Sequence, residues 1–343
     1  MTIAFLINQT HKELSGYTTT YLALTAHRRS HKILYIGLAD FAYHDENTVG
    51  AHCRVLESSD RVTDHKDLMR ILRKKEKKFI TSDQIDLLWI RHDPVTDMIA
   101  RPWASPTALQ FAQLMKRQGT WVINDPDQLM QATNKMYLEY FPKEIRPKTL
   151  VTRSYEDVVN FLEQQKDKII LKPLTGSGGK NVFMVKKGEK HNLKQTVEVI
   201  ARDGYLLAQE YLPAAAKGDI RFFLLDGEPV LVDGKYAAIS RVQQKGDIRS
   251  NIHQGGSAKV ARITKKILAT ISQVSQKLKD DGMYFVGLDI VGNVIMEINV
   301  FSPGALIHAS KLNNVDFLTY VIAHLEKKFA QRQKAEHELN KTL

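Results

Sequence analysis

Three side chains that carry oxygen atoms interrupt an apolar stretch of the sequence, YFVGLDIVGNVIMEINVFSPGAL, at residues 284–306. The pattern predicts two strands joined by a turn at Gly292–Asn293. Asp289 lies on the first strand. Glu297 and Asn299 lie two residues apart on the second strand, so both project from one face, within cross-strand reach of Asp289. The hairpin is therefore predicted to bring two carboxylates and one amide together.

Oxygen ligands of this kind suit Mg²⁺, which prefers a near-octahedral shell and keeps some positions for substrate phosphates. The strand around Asp289 is apolar almost throughout, so we expect the hairpin to be packed on both sides. Unpaired carboxylates are costly in such a setting. A metal ion would offset that cost, and so would arginine partners in structural salt bridges. Both explanations are open at this point.

A glycine-rich loop follows a predicted strand in ILKPLTGSGGKNVFMV, residues 170–185. Glycine lets backbone amides approach phosphate oxygens closely, and a lysine beside the loop adds a positive charge for the same oxygens. The alternative is a flexible hairpin turn beside a surface lysine. The spacing matches neither a Walker A loop nor a dinucleotide fingerprint. The candidate residues of this segment are Lys172, Gly176, Ser177, Gly178 and Gly179.

Two further segments, 208–230 and 241–258, carry arginines. Bidentate guanidinium contacts and a glycine-rich turn suit anionic ligands, although each segment alone could be a surface loop. The polar residues concerned are Asp219, Arg221, Arg241, Arg249, Asn251 and His253. Lysines, a glycine loop, the hairpin trio and arginines together are what transfer of the ATP γ-phosphate requires, because positioning and charge neutralisation dominate that chemistry.

The N-terminal third alternates short apolar runs with helical patterns. The predicted strands are 3–8, 32–37, 85–91 and 120–124, and the predicted helices lie near 18–29 and 105–118. This alternation predicts βαβ units and a parallel sheet. Functional residues of such sheets lie beyond the carboxyl ends of the strands. The cleft candidates, with turn or helix-cap roles as the alternative, are Asn8, Arg91, His92, Asp93 and Asn124.

From residue 146 onward the pattern changes to an α+β type. Strands are predicted at 168–173, 181–187, 205–212 and 219–227, with more to about 241, and helices at 154–165, 193–203, 258–279 and about 313–335. We expect domains at 1–124, 125–205 and 206–330, followed by a polar tail at 331–343 that frays.

The composition of the 343 residues, 43% hydrophobic and 25% charged, is that of an ordinary globular chain of two or three subdomains. Cys53 alone cannot form an internal disulfide, the N-terminus resembles a strand more than a signal peptide, and no apolar run approaches about 20 residues. We therefore expect a cytoplasmic protein with no membrane partner.

The formal net charge of +11 has two explanations. One is a nucleic-acid or membrane surface, and the other is a positive field for anionic small molecules. The sequence has no long basic helix interleaved with aromatic residues, and basic runs such as RKKEKK at 73–78 are typical of a solvated face. Charge alone does not decide between these explanations.

In their order along the chain, these segments resemble the ATP-grasp superfamily and, more closely, the prokaryotic glutathione synthetase family. The resemblance extends from the first strand to about residue 327. The matching segments are LLWIRHDP, VINDPDQL…TNK, TLVTR, IILKPLTGSGGKNVF, AQEYLP, GDIRFFLLDGEPV, GDIRSNIHQGG, FVGLDIVG and MEINVFSP. The implied fold combines α/β and α+β parts: an ATP-grasp fold preceded by an N-terminal doubly wound, Rossmann-like parallel-sheet domain.

The resemblance also implies roles for matching positions. Two lysines would contact the ATP phosphates, a glycine loop would cover them, a hinge segment would read adenine, and an aspartate would approach the ribose; these are Lys135, Lys172, Gly176, Ser177, Gly178, Gly179, Gln209, Glu210, Tyr211, Leu212 and Asp219. The residues implied in catalysis, which would steady the acyl phosphate and the carboxylates, are Arg221, Arg249 and Asn251. Those implied to hold Mg²⁺, with Mn²⁺ as a substitute, are Asp289, Glu297 and Asn299.

The implied reaction joins an acid to an amine. A carboxylate of a γ-glutamylcysteine-like acid attacks the γ-phosphate of ATP, and an amino-acid amine then displaces phosphate from the acyl phosphate. A lid formed by about 125–205 and the 241–257 loop would close over the site to exclude water. The resemblance further implies a homo-oligomer with no nucleic-acid partner.

Two segments depart from the family pattern. RSNIHQGG at 249–256 resembles the related glutamate ligases that modify ribosomal proteins, and GALIHASKL at 304–312 lacks an arginine and an acidic residue that the best-known synthetases carry. Both lie where the peptide and the acceptor amine should bind. Three hypotheses follow: a glutathione synthetase, an amide ligase of the same fold for another acid or amine, and a basic non-catalytic nucleotide-binding protein that contacts nucleic acid or a partner. The intact metal trio argues against the third.

Overall fold

The computed structural model describes residues 1–176, 178–188, 191–242 and 257–342. Within these ranges the chain forms three main sheets, each covered by helices. No helix in the described part of the chain is both long and apolar enough to span a membrane. Ser177, Arg249 and Asn251 lie outside the described residues.

The N-terminal sheet has seven strands in the order β3-β4-β2-β1-β6-β7, with β5 paired to β4. Its strands are β1 Thr2–Ile7, β2 Lys32–Gly37, β3 Phe41–His44, β4 Thr48–Leu56, β5 Lys77–Thr81, β6 Leu87–Ile90 and β7 Trp121–Ile123. Its helices are α1 Thr18–Arg28, α2 His65–Lys74, α3 Pro94–Asp97, α4 Ala104–Arg117 and α5 Pro126–Gln131, and a 3₁₀ turn covers Ser82–Gln84. The strands β2, β1, β6 and β7 are parallel and largely buried, as expected where helices cover both faces.

One edge of this sheet was not predicted from the sequence. Strand β4 pairs antiparallel with each of β2, β3 and β5. The basic run at 73–78, expected to be a solvated face, ends α2 and begins β5, where Lys77 and Lys78 are exposed. Lysines on an edge strand are a known protection against unwanted strand pairing.

The middle sheet has four strands in the order β10-β9-β11-β8. They are β8 Thr149–Thr152, β9 Lys168–Pro173, β10 Phe183–Lys186 and β11 Leu206–Glu210, and the helices α6 Tyr155–Gln164 and α7 Leu193–Ala201 accompany them. Two 3₁₀ turns, Lys135–Tyr140 and Lys143–Ile145, lead into this sheet. Apolar side chains of this sheet and of its two helices, among them Leu162, Leu171 and Leu206, form a separate core cluster.

The C-terminal sheet has six strands in the order β17-β16-β12-β18-β19, with β13 paired to β12. Its strands are β12 Asp219–Leu225, β13 Glu228–Pro229, β16 Ala238–Val242, β17 Ser257–Val260, β18 Phe285–Val291 and β19 Val294–Asn299, and a small hairpin consists of β14 Leu231–Val232 and β15 Lys235–Tyr236. A 3₁₀ turn, Pro213–Lys217, precedes β12, and the helices are α8 Lys265–Asp280, α9 Leu306–Asn313 and α10 Phe317–Thr342.

Two helix boundaries differ from the sequence prediction. The helix expected from residue 258 begins at Lys265, because 257–260 pairs with β16 as strand β17 and Thr264 caps the helix by accepting from the Ile267 amide. The last helix, expected from about residue 313, begins at Phe317, because a separate helix, α9, ends before it at Asn314, which adopts a left-handed conformation with φ of 53°. The tail expected to fray continues α10 to Thr342.

The N-terminal and C-terminal sheets pack directly against each other. A row of aromatic rings crosses between them: Phe5 stacks on Trp89 at 5.6 Å, Trp89 meets Phe285 edge-on at 5.8 Å, and Phe285 stacks on Phe223 at 5.7 Å. Asn124, at the end of β7, donates from Nδ2 to the Phe285 carbonyl at 3.0 Å and accepts from the Phe285 amide at 2.9 Å. The carboxyl ends of β1 and β6 are thereby fixed next to the C-terminal sheet.

Candidate active site

The β18–β19 hairpin brings the predicted trio together. Asp289 and Glu297 are direct cross-strand partners, and the register shifts immediately after Asp289. Asn299 lies two residues farther along β19, with Nδ2 3.5 Å from Asp289 Oδ2. The turn falls at 292–293, as expected from the sequence. The two carboxylates and the amide therefore share one face of the hairpin.

Arginines surround Asp289. Arg221 donates from Nε and Nη2 to its two carboxylate oxygens at 2.5 and 3.0 Å, and Arg241 Nη2 lies 2.8 Å from Oδ2. Arg241 also pairs with Asp219 through Nε and Nη2 at 2.6 and 2.7 Å. Burial acts to raise the pKa of Asp289, but the two guanidinium groups outweigh it and lower that pKa below its usual value. Arginine pairing, one of the two explanations left open by the sequence, is thus present at this carboxylate.

The sequence indicated Arg241 only as one of the polar residues of the segment 241–258 and predicted no specific role for it. Strand register could have revealed it, because β12 pairs antiparallel with β16 and sets Arg241 directly opposite Asp219. Its side chain is buried between two carboxylates. Asp219, expected near a ribose, makes a bidentate pair with Arg241 in this state.

Glu297 differs from its cross-strand partner. It is half-buried and has no hydrogen bond or ion pair with any other residue that the structure describes. Within those residues no cluster of three or more histidine, cysteine, aspartate or glutamate side chains could hold a metal ion. The hairpin instead offers two carboxylates and an amide oxygen, a donor set that fits a hard divalent cation with open positions for phosphate oxygens.

A cavity of about 290 Å³ lies between the middle and C-terminal sheets. All the predicted site residues that the structure describes line it: Lys135, Lys172, Gly176, Gly178, Gly179, Gln209, Glu210, Tyr211, Leu212, Asp219, Arg221, Asp289, Glu297 and Asn299. Apolar side chains complete its walls: Ile170, Val182, Val291 and Met296. Flat apolar walls beside clustered cations suit a ligand with an aromatic base at one end and phosphates at the other.

The two lysines stand at the polar end of this cavity. Lys172 Nζ donates to Gln209 Oε1 at 3.0 Å, and Lys135 Nζ donates to the Gly176 carbonyl. Burial lowers the pKa of Lys172 to about 8, with Glu297 acting in the opposite direction and the nearby Lys135 adding to the decrease. An anion that binds next to Lys172 would stabilise the charged form of this lysine and raise its pKa again.

The glycine loop covers the same end. Gly178 and Gly179 adopt φ angles of +68° and +74°, a region that side chains with a Cβ rarely occupy. A Cβ at Gly178 would meet nothing within 4 Å, so the requirement is conformational and not steric. Backbone amides in such left-handed turns form concave anion sites.

The segment predicted to read a base, 209–212, lines the same cavity and begins at Gln209, the residue bonded to Lys172. The side chain of Gln209 is almost fully buried. Glu210 Oε1 accepts a hydrogen bond from the Lys148 amide at 2.8 Å. Lys168 Nζ lies 4.2 Å from the centroid of the Tyr211 ring. These contacts tie the segment to β8 and β9 and fix one wall of the cavity.

A second cavity, of about 450 Å³, adjoins the first. The two share Lys135, Gly176, Gly178, Arg221, Arg241, Met296, Glu297 and Asn299. From this shared zone the larger cavity extends to the carboxyl ends of β1 and β6, where Asn8, Arg91 and Asp93 line it, as expected for a parallel sheet. The larger cavity can therefore present a second ligand to the phosphate end of the first.

Two of the five cleft candidates do not line either cavity. His92 Nε2 lies 2.8 Å from Ser105 Oγ in the protein interior, and burial lowers the pKa of this imidazole to about 3. Asn124 hydrogen-bonds Phe285, as described above. Both belong to the packing of the fold, which is neither the cleft role nor the turn or helix-cap role expected from the sequence.

Comparison with known proteins assigns the family. The chain matches the family models described as prokaryotic glutathione synthetase, N-terminal domain, over residues 1–130 and prokaryotic glutathione synthetase, ATP-grasp domain, over residues 134–314. It is 30% identical to a glutathione synthetase of Coxiella burnetii over 316 residues, covering 91% of this chain and 92% of the relative. It is 32% identical to that of Escherichia coli K12 over 284 residues, covering 82% and 84%.

Solved structures show the same fold at low sequence identity. D-cycloserine synthetase DcsG superposes with a TM-score of 0.60 at 15% identity, covering 95% of this chain and 99% of its own. The ATP-grasp ligase PsnB, complexed with a minimal precursor, Mg and ADP, gives 0.57 at 15% identity, covering 96% and 98%. With the hairpin, the paired cavities and these matches, the chain belongs to the prokaryotic glutathione synthetase family and is an ATP-dependent carbon–nitrogen ligase of the ATP-grasp fold.

Proposed function

We propose that the protein is a glutathione synthetase, which joins the free carboxylate of γ-glutamylcysteine to the amino group of glycine and converts ATP to ADP and phosphate. One observation carries this proposal: the two cavities meet at Arg221, Glu297 and Asn299. A nucleotide in the smaller cavity and a peptide acid in the larger one would face each other there.

The proposed reaction has two steps. An oxygen of the peptide carboxylate attacks the γ-phosphorus of ATP, ADP leaves, and an acyl phosphate results. The amino nitrogen of glycine then attacks the acyl carbon, phosphate leaves, and the nitrogen loses a proton. No covalent bond to the protein forms, so the buried thiol of Cys53 has no role.

The chain's own residues position and neutralise charge in this scheme. Lys135 and Lys172 hold the ATP phosphates beneath the glycine loop, and Arg221 steadies the transferred phosphoryl group. Asp289, Glu297 and Asn299 would hold Mg²⁺, or Mn²⁺ in its place, which neutralises phosphate charge when bound. Ser177, Arg249 and Asn251 are assigned by the family resemblance alone.

The proposed architecture divides the chain at 1–124, 125–205 and 206–330, with a polar tail at 331–343. Buried apolar side chains between Val158 and Ala208 form a separate core, which suits a lid that moves as a unit and excludes water from the acyl phosphate. The buried apolar side chains at 129–145 belong instead to the largest core cluster. We also propose a cytoplasmic homo-oligomer that acts on small molecules and not on nucleic acid. Light scattering of the purified protein tests the oligomer, and salt-dependent retention on immobilised DNA or RNA tests the last point.

A second candidate is an amide ligase of the same fold for a different acid or amine. The segment 304–312 favours it, because Gly304, Ala305, Ile307 and His308 line the larger cavity where the family pattern has an arginine and an acidic residue. The 249–256 segment, the other departure, lies outside the described residues.

Phosphate release from ATP and Mg²⁺ tests the proposal, with γ-glutamylcysteine fixed and candidate amines varied. Release that requires both γ-glutamylcysteine and glycine, with glutathione identified by mass spectrometry, is the expected result. Absence of release with this pair, while ATP still binds, overturns the glutathione assignment in favour of the second candidate.

A further inference from the structure

Three side-chain atoms of residues that line the larger cavity are buried and have no hydrogen-bond partner among the described residues. They are Oε1 of Glu13, Oγ1 of Thr18 and Nη1 of Arg91. The three residues are 7%, 4% and 4% exposed. Buried polar atoms are almost always paired in native proteins, so three unpaired ones in residues that line one cavity point to a ligand there.

Arg91 is held by two of its three guanidinium nitrogens, and Nη1 has no hydrogen-bond partner among the described residues. Its Nε donates to Thr19 Oγ1 at 3.2 Å, Nη2 donates to the Pro303 carbonyl at 3.0 Å, and its guanidinium carbon lies 5.4 Å from the centre of the Phe285 ring. Burial lowers the pKa of Arg91 to about 10, so it remains a cation at neutral pH. The fixed cation with one unused donor is suited to a carboxylate.

The N-terminus of α1 faces the same end of the cavity. Tyr17, the residue before the helix, makes no side-chain capping bond, and Tyr17, Thr18 and Thr19 line the cavity. The first amides of a helix have no partner within the helix and carry a partial positive charge. A carboxylate near Arg91 could accept from these amides and from the Thr18 hydroxyl.

Glu13 adds the opposite charge. Burial raises its pKa to about 7, against the effect of Arg91 and Arg73, and no ion pair links it to another described residue. The charge of Glu13 also contributes to raising the pKa of Tyr35 and of Tyr17, after the effect of their burial. An ammonium group beside Glu13 would restore its ionised form and supply the missing donor. A phosphate or a second carboxylate in that position would be repelled.

We propose that Glu13, Arg91, Thr18 and the N-terminus of α1 form a site for the α-amino-acid head of the acid substrate, the ammonium on Glu13 and the α-carboxylate on the others. This inference rests on the proposed function, in which the acid is a γ-glutamyl peptide. Such a peptide has its reactive carboxylate at one end and a free zwitterionic head at the other. The cavity runs from Arg221 at the phosphate zone to Glu13 and Arg91 and so accommodates both ends.

Calorimetric binding of two peptides tests the site independently of turnover. One is γ-glutamylcysteine, and the other is glutarylcysteine, which has hydrogen in place of the α-amino group. We expect the wild type to bind the first at least about tenfold more tightly, as a charge-assisted hydrogen bond implies. In Glu13→Gln that preference should shrink to about threefold or less, with ATP binding unchanged.

The comparison distinguishes recognition from a structural role, since a merely destabilised pocket would weaken both peptides alike. Glu57→Gln is the matched control, because Glu57 is 45% exposed and pairs with Lys32 on the same sheet; its two affinities should equal those of the wild type. An unchanged preference in Glu13→Gln, or none in the wild type, overturns the site.

The outcomes for the site and for the proposed function are separable. If the preference for γ-glutamylcysteine over glutarylcysteine depends on Glu13 but no glutathione forms, the head site is supported and the glutathione assignment is overturned. Formation of glutathione with no preference for the amino group removes the head site alone. Failure of γ-glutamylcysteine to bind removes both.

Discussion

Asp289 and Glu297 face each other across the β18–β19 hairpin, yet they differ in what surrounds them. Asp289 is buried and bonded to Arg221 and Arg241, whereas Glu297 is half-buried and makes no ion pair within the described part of the chain. One carboxylate of the proposed metal site is thus already neutralised by arginines, and the other has only the longer-range attraction of Lys172 among the described residues. This asymmetry sets different expectations for their substitution.

Glu297→Gln should lower kcat about 100-fold or more, because it removes charge from the proposed metal site where several kcal/mol of charge stabilisation are at stake. The melting temperature should stay near the wild-type value, since no ion pair to the described residues is lost. Steady-state kinetics with varied Mg²⁺ and a thermal melt measure the two effects. Wild-type turnover at saturating Mg²⁺ contradicts the metal assignment.

Arg241→Met should destabilise the fold as well as impair the enzyme. The substitution leaves Asp219 and Asp289 without a shared cation, and breaking a buried pair in this way costs about 3–5 kcal/mol. The melting temperature should fall by roughly 6–10 °C. Arg70→Met is the control, because the exposed pair of Arg70 with Asp67 contributes little. Equal melting temperatures for the two variants would show that the buried network is dispensable.

ATP affinity should decrease above pH 8. The protonated form of Lys172 is the one that attracts phosphate, and its pKa of about 8 means that this form is lost as the pH rises through that value. The dissociation constant for ATP should then increase by up to about tenfold per pH unit. Titrations between pH 7 and 9.5 measure it.

Lys172→Arg provides the comparison for this pH dependence, because arginine stays protonated over the whole range. The same ATP solutions serve both proteins, so any titration of the nucleotide cancels. A dissociation constant that rises equally steeply in both proteins would assign the pH dependence to another group.

Asn124→Ala should weaken the contact between the N-terminal and C-terminal sheets. The change leaves the Phe285 amide and the carbonyls of Phe285 and Val300 without the partner they have in the native protein. Each unsatisfied buried group costs about 1–3 kcal/mol. A thermal melt compared with Asn160→Ala, an exposed position on α6, measures the effect. A shift no larger than that of the control contradicts this role for Asn124.

Much of the site could be predicted because its residues are arranged locally. The i and i+2 spacing of Glu297 and Asn299 fixes their common face in any strand, and the turn at 292–293 fixes the pairing with Asp289. The glycine loop is likewise defined by consecutive residues. These features depend on backbone geometry over a few positions, which sequence patterns record directly.

The antiparallel edge of the N-terminal sheet and the start of α8 were not predicted, because neither has a strong local pattern in the sequence. Strands β3 and β5 are short and carry exposed polar residues, so their periodicity is weak. Residues 257–260 form a strand because β16 lies beside them, and that neighbour overrides the local pattern.

The sequence by itself determined the fold family, the ligase chemistry and the residues of the cavity proposed for the nucleotide, since each follows from short motifs in a fixed order. Only the tertiary structure decided that Arg221 and Arg241, 68 and 48 positions before Asp289, share its carboxylate. The tertiary structure also buries Glu13 within electrostatic range of Arg91. A glutamate in a loop is ordinarily solvated. Such partnerships depend on how distant segments close around a cavity, and the free energy of a buried charge depends on those partners and not on its neighbours in sequence.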